Sequence, residues 1–174
     1  TTIDVGFQPR IVINEILADA DRGYLDPDEP AEYPDWIELY NPGFLPINLN
    51  WIRWTDDPAD PRKFQIGVDV IVAPYSYVLF VADGEPEQGP LHTNFKLSKD
   101  GEYVALHAGA VDDFRTVDAT EFGALLTNQS HGRNPSGGET WQVLGAPTPG
   151  GSNLRHAVIT TVHLPIVNRG VVCR

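Results

Sequence analysis

Carboxylates are the most chemically capable residues of this chain, and they are not evenly spread. Residues 19–34 carry Asp19, Asp21, Asp26, Asp28, Glu29 and Glu32 against one basic residue, Arg22, and Asp35 follows directly. Calcium takes roughly six to eight oxygens at about 2.3–2.6 Å, and an acidic loop held between two strands is one way to converge them. The expected ligands are Asp19, Asp21, Asp26, Asp28 and Asp35, with Asn14 or Glu15 contributing from the adjoining strand. No D-x-D-x-D-G loop is completed here, so the same residues also read as a solvated acidic loop. Asp56, Asp57 and Asp60 make a second acidic group, expected to cap backbone amides in a turn.

Other chemistries find less support. Glu15 and Glu38 sit among apolar residues, where a carboxylate must find a donor or stay at the surface, and pairing with Arg53 or Arg133 is the expected solution. A glycosidase would need two such carboxylates opposed in a cleft, and nothing in the sequence places them so. His92, His107, His131, His156 and His163 are scattered without the spacing that assembles zinc. Ser130 and His131 are neighbours, but adjacent side chains point apart and no G-x-S-x-G elbow surrounds the serine. Gly137-Gly138 and Gly150-Gly151 lack the strand-to-helix setting of a phosphate loop and read as turns. An enzyme is therefore not expected.

Among the aromatics, Trp36 and Trp51 are expected in the core, and Tyr24, Tyr33 and Trp54 on the surface. There they would form a binding face for a protein or carbohydrate.

The elements that must position these groups are strands. Residues 10–18 open with an apolar, β-branched run broken only by Asn14 and Glu15. In Asp35-Trp36-Ile37-Glu38-Leu39-Tyr40, Trp36, Glu38 and Tyr40 fall on one side and Ile37 and Leu39 on the other, before Asn41-Pro42-Gly43 ends the run. Residues 47–55 alternate, with a bend expected near Asn50, and residues 76–82 read as a central, buried strand. Asp100-Gly101 signals a hairpin between residues 92–97 and 103–107. Residues 111–118 fit an exposed edge or hairpin arm, and residues 119–126 are the one place where a helical turn is expected. Strands about every 10 residues, punctuated by Gly, Pro, Asn and Asp, predict an all-β antiparallel sandwich.

A chain of 174 residues is about one domain. It divides into an N-terminal extension at 1–9, the sandwich at 10–153, and a β-prone tail at 154–174 that either docks as a strand or begins a neighbouring segment. Twelve basic against twenty-four acidic residues give a formal charge of −12, a field that repels nucleic acid and acidic membrane surfaces. No run reaches the roughly 18 apolar residues of a membrane helix, so membrane insertion is not expected. Cys173 has no partner for an internal disulfide. The absence of methionine leads to the expectation that something lay upstream of Thr1.

Several segments, in order, resemble the lamin tail domain. They are Ile13-Asn14-Glu15-Ile16, Asp35-Trp36-Ile37-Glu38-Leu39-Tyr40-Asn41-Pro42, Leu49-Asn50-Trp51, residues 72–81, residues 97–106, Ser130-His131-Gly132-Arg133, Trp141 and Thr148-Pro149-Gly150. Each is weak alone, and the ordered set is specific. The resemblance implies an immunoglobulin-like sandwich that is a non-catalytic binding or interaction module. The long acidic loop is similar to that of bacterial members, which implies a secreted or cell-surface protein, calcium-stabilised if the loop binds the ion. The resemblance also admits an accessory structural domain supporting a neighbouring module in the same polypeptide. Chromatin or nucleic-acid binding, as in nuclear lamin tails, is disfavoured by the acidic charge.

Overall fold

A computed structural model of the protein describes residues 10–109 and 114–156. The extension at 1–9, residues 110–113 and most of the tail, including His163 and Cys173, lie outside the described residues. The fold is an all-β antiparallel sandwich.

One sheet has five strands in the order β11-β10-β1-β2-β7, formed by β1 (Val12–Leu17), β2 (Trp36–Tyr40), β7 (Tyr77–Val81), β10 (Ser130–Arg133) and β11 (Trp141–Leu144). The other has four in the order β5-β4-β8-β9, formed by β4 (Arg53–Thr55), β5 (Phe64–Gln65), β8 (Gly101–Ala108) and β9 (Arg115–Gly123). A small ladder of β3 (Ile47–Asn48) with β6 (Ile71–Val72) stands beside them. Among the described residues no helix is long and apolar enough to cross a membrane.

Every residue of β1 is buried, Asn14 and Glu15 included, as befits a strand covered on both faces. Its register with β2 shifts at Asn14: Ile13 faces Leu39, but Glu15 faces Glu38. Asn14 is the extra residue of a β-bulge, and this keeps both Ile13 and Ile16 on the inner face with Ile37 and Leu39. Glu15, Leu17, Trp36 and Glu38 are thereby left on the outer face, yet all are buried, because residues 145–153 fold back over that side. Ile11, Ile13, Ile16, Ile37, Leu39 and Phe80 meet Trp54, Val104, Leu106 and Phe122 in the core. The Trp54 and Phe80 rings lie 5.1 Å apart at its centre.

Several expectations are corrected. The run 47–55 breaks where a bend was expected near Asn50: a turn, with Ile52 N–H donating to Leu49 O at 2.9 Å, sends its halves to different ladders. The turn resets which side chains face inward, so Trp54 is fully buried and Trp51 only partly so, while Trp36 is buried as expected. Residues 77–81 are apolar yet form an edge strand: Tyr77, Val78 and Leu79 are half-buried, and the chain at 91–93 covers the end at Phe80 and Val81. Val81 N–H donates to Leu91 O at 2.7 Å and Thr93 N–H to Val81 O at 2.9 Å. Residues 92–97 make only isolated bridges, so Asp100-Gly101 leads into β8 without closing a hairpin. Residues 119–123 belong to β9, the edge strand paired along β8, and form no helical turn.

Trp54→Ala is expected to lose roughly 3–5 kcal/mol, since the cavity would open between the two sheets. Trp54→Phe keeps a ring against Phe80 and removes an indole N–H that has no hydrogen-bond partner among the described residues, so its loss should be less than half as large. Urea unfolding of both variants checks the burial, and a negligible loss for Trp54→Ala would contradict it.

Candidate functional site

The motif residues of the outer face meet in one buried network. Glu15 and Glu38 are direct partners across β1 and β2, and neither has any exposure. Glu38 accepts from Asn14 Nδ2 at 2.7 Å and from the Gly150 N–H at 2.6 Å. Glu15 accepts from Ser130 Oγ at 2.5 Å and from the Thr148 N–H at 3.0 Å, and the Thr148 hydroxyl lies within hydrogen-bond reach of both Glu15 and Asn153. Asn153, itself fully buried, donates to the Arg133 carbonyl at 2.7 Å and receives a bond from Asn14 at 3.3 Å. Gly132 lies directly beneath: a Cβ there would meet Leu144 Cδ1 at 2.6 Å and Asn153 Nδ2 at 2.9 Å, so only glycine leaves room for the asparagine.

Arg133 does not serve Glu15 and Glu38 as expected. Its Nη2 bonds both oxygens of Asp118 at 2.9 Å, its Nε donates to the Ile13 carbonyl at 2.7 Å, and its guanidinium lies 4.4 Å from the Trp141 ring centre. Asp118 also accepts from the Ile13 N–H at 2.8 Å, so this pair stitches β9 to β1 at the sandwich edge. Burial pushes Glu38 up to about 8 against the bonds from Asn14 and Gly150, with Glu15 adding to the rise. The oxygens of this carboxylate pair are engaged by protein donors beneath residues 148–153. They act as struts, and a cavity of about 180 Å³ nearby is lined by Leu17, Arg22, Trp36, Asn128 and Pro147, not by either glutamate. Ser130 and His131 diverge as expected: the serine bonds Glu15, while the His131 ring stacks on Trp141 at 4.5 Å.

The expected calcium ligands are dispersed. Asn14 and Glu15 belong to the buried network, because the bulge places them on the outer face. Asp19 accepts from Thr127 Oγ1 at 2.7 Å, and Asp21 from Asn128 Nδ2 at 2.6 Å, so the turn at 127–128 holds the start of the loop. Asp35 is pushed up to about 6, first by burial and then by Asp19. Only Asp26 and Asp28 come together, and with His92 they are the one group of three or more metal-ligating side chains among the described residues. Asp57 and Asp60 cap backbone amides of their own turn, as expected. The expected aromatic face does not form either: Tyr33 is exposed, Tyr24 is half-buried, and Trp54 is in the core.

Asn153 carries no expectation in the sequence, and His92 reads there only as one of five scattered histidines. Thr148 lay within a recognised motif, but His92 is 64 positions from Asp28, and only the folded chain brings them together. No protein-family model, curated protein or solved structure matches the chain.

A raised carboxyl pKa means that the folded chain holds the proton more tightly than the unfolded one, so stability falls as pH rises from 4.5 toward about 8 for Glu38. His107 and His131, lowered from 6.5 by burial, work in the opposite direction, mainly below that value. Between pH 6.5 and 8 the stability is therefore expected to drop by up to about 1.4 kcal/mol per pH unit. Glu38→Gln should reduce that slope whatever it does to absolute stability, leaving the contribution of His92, whose pKa is also raised and which acts in the same direction. Urea unfolding at intervals across this window tests the assignment, and an unchanged slope in the variant would refute it.

Proposed function

We propose that this chain is a lamin-tail-type immunoglobulin-like module of a bacterial secreted or cell-surface protein, and that it acts by binding another protein rather than by catalysis. One observation carries the reading. Asn14-Glu15, Glu38, Ser130, Gly132-Arg133 and Thr148-Pro149-Gly150, the short motifs that carry the family resemblance, meet in a single buried network in which the carboxylates bind the chain to itself. Motif residues used in this way define a scaffold.

A scaffold acts through its surface. Asn41 ties the loops at 42–46 and 73–76 together, donating from Nδ2 to the carbonyls of Leu45 at 2.8 Å and of Val72 and Ala73 at 3.1 Å. On these loops Phe44 is 63% exposed, Leu45 46% and Tyr75 62%, with Tyr75 held at φ 55. Such a rigid, apolar loop tip on a chain of charge −12 suits a protein partner and disfavours a phosphate backbone.

Labelled protein incubated with bacterial envelope preparations at physiological salt is expected to show saturable retention that falls about tenfold or more in Phe44→Ser/Tyr75→Ser. The same protein should pass through a column of double-stranded DNA. Retention on DNA, or envelope retention indifferent to the double substitution, would count against this function.

A further inference from the structure

The strongest chemistry outside the carboxylate network lies where the acidic loop meets the chain leaving β7. His92 is 3% exposed and Asp26 2% exposed, so two groups that water normally solvates are both held inside. Nδ1 of His92 lies 2.7 Å from Asp83 Oδ2, and its Nε2 lies 3.2 Å from Asp28 Oδ2. Among the described residues neither Lys nor Arg is ion-paired with Asp26, Asp28 or Asp83, so one imidazole stands against three carboxylates. The surrounding field is negative: Glu29 is raised by Glu32 first, then by burial, with Glu85, Asp26 and Asp83 also contributing.

We propose that Asp26, Asp28 and His92 bind a divalent first-row transition-metal ion, with Asp83 orienting the histidine from behind. One ligand atom from each of the three lies within 4.8 Å of the others. Two ligands on a tetrahedral zinc with bonds of about 2.0–2.1 Å stand roughly 3.3 Å apart, close to the 3.2 Å between Nε2 and Asp28 Oδ2. The Asp83 bond holds the proton on Nδ1 and directs the Nε2 lone pair toward Asp28, the arrangement by which a carboxylate fixes a metal-bound histidine.

A separate observation points to the same place. A cavity of about 230 Å³ is lined by Tyr24, Asp28, Gln88 and His92. Gln88 Nε2 donates to Glu85 at 2.5 Å, but its Oε1 is buried and has no hydrogen-bond partner among the described residues. The cavity leaves room for a water at the fourth position. Asp28, with 54% of its side chain exposed, gives the ion a way in.

The donor set decides the class of ion. One imidazole nitrogen with two carboxylates suits zinc or its neighbours, whereas calcium seeks an all-oxygen shell of higher coordination number. The competing occupant is a proton: an imidazolium bridging Asp83 and Asp28 would account for the same two distances.

The test uses the full chain, stripped with a chelator, and zinc chloride as the probe in calorimetric titration and thermal unfolding, with cobalt(II) as a spectroscopic substitute. One zinc per chain and a rise in melting temperature are expected, together with visible cobalt bands of four-coordinate intensity. Asp28→Asn, at a half-exposed position, should weaken zinc at least tenfold and abolish most of the zinc-induced rise in melting temperature, measured against the variant's own metal-free value. Asp83→Asn should weaken it by roughly 10–100-fold. Absence of stoichiometric binding, undiminished affinity in Asp28→Asn, or stabilisation by calcium equal to that by zinc would each overturn the proposal.

Discussion

Glu15 and Glu38 face one another across two central strands with no exposure to water, and much of the architecture follows from that contact. A carboxylate taken out of water is costly unless its oxygens are met by donors, and one beside a second carboxylate more so. Here the donors come from far along the chain: Ser130, the Thr148 and Gly150 amides, and Asn14 at the bulge. The closing segment must therefore dock before the centre of the five-stranded sheet is satisfied. Burial of Leu17 and Trp36 under residues 145–149 depends on the same docking, which couples polar satisfaction to apolar burial.

The bulge at Asn14 is the local cause of this arrangement. An unbulged β1 would alternate strictly, and Ile13 and Ile16 would lie on opposite faces. The extra residue keeps both isoleucines inward and delivers Asn14 and Glu15 together to the outer side. Asp118 and Arg133 then fasten the same strand to β9, with the arginine closed from outside by Trp141. Sheet, edge and closing segment are all anchored within a few residues of the bulge.

This explains how far the sequence was legible. The period-2 pattern of residues 36–40 and the apolar run of 11–17 give the strands and the sandwich, because inward alternation is a local property. Trp54 lies in the core because a short turn at Asn50-Trp51 resets the alternation: the bend near Asn50 is legible in the sequence, but the face each side chain takes beyond it is not. Residues 77–81 look central because they are apolar, but an edge covered by its own downstream chain is buried by a contact that the strand does not encode. Residues 119–123 contain residues that also suit a helix, and the long pairing with β8 overrides that weak preference. The ordered motifs could be read as a set, but their convergence on one network depended on the bulge and the closing segment.

The acidic loop teaches the complementary lesson about sites. Proximity in sequence suggested one pool of ligands, but a carboxylate is available to an ion only if the fold has not already engaged it. Thr127 and Asn128 take Asp19 and Asp21, Lys63 takes Asp56, the asparagines at 48 and 50 take Asp69, and Arg133 takes Asp118. Near residues 26–28 the compensation comes from amides and not from cations: Asp26 Oδ1 accepts from the Asp28 and Glu29 N–H groups and Asp83 Oδ1 from the Glu85 N–H, and among the described residues no Lys or Arg pairs with these three carboxylates beside one histidine. A net charge of −12 spread over the chain says little about where a cation would bind. The informative quantity is the charge left after every local pairing is counted, and that can be computed only once the fold has chosen the pairs.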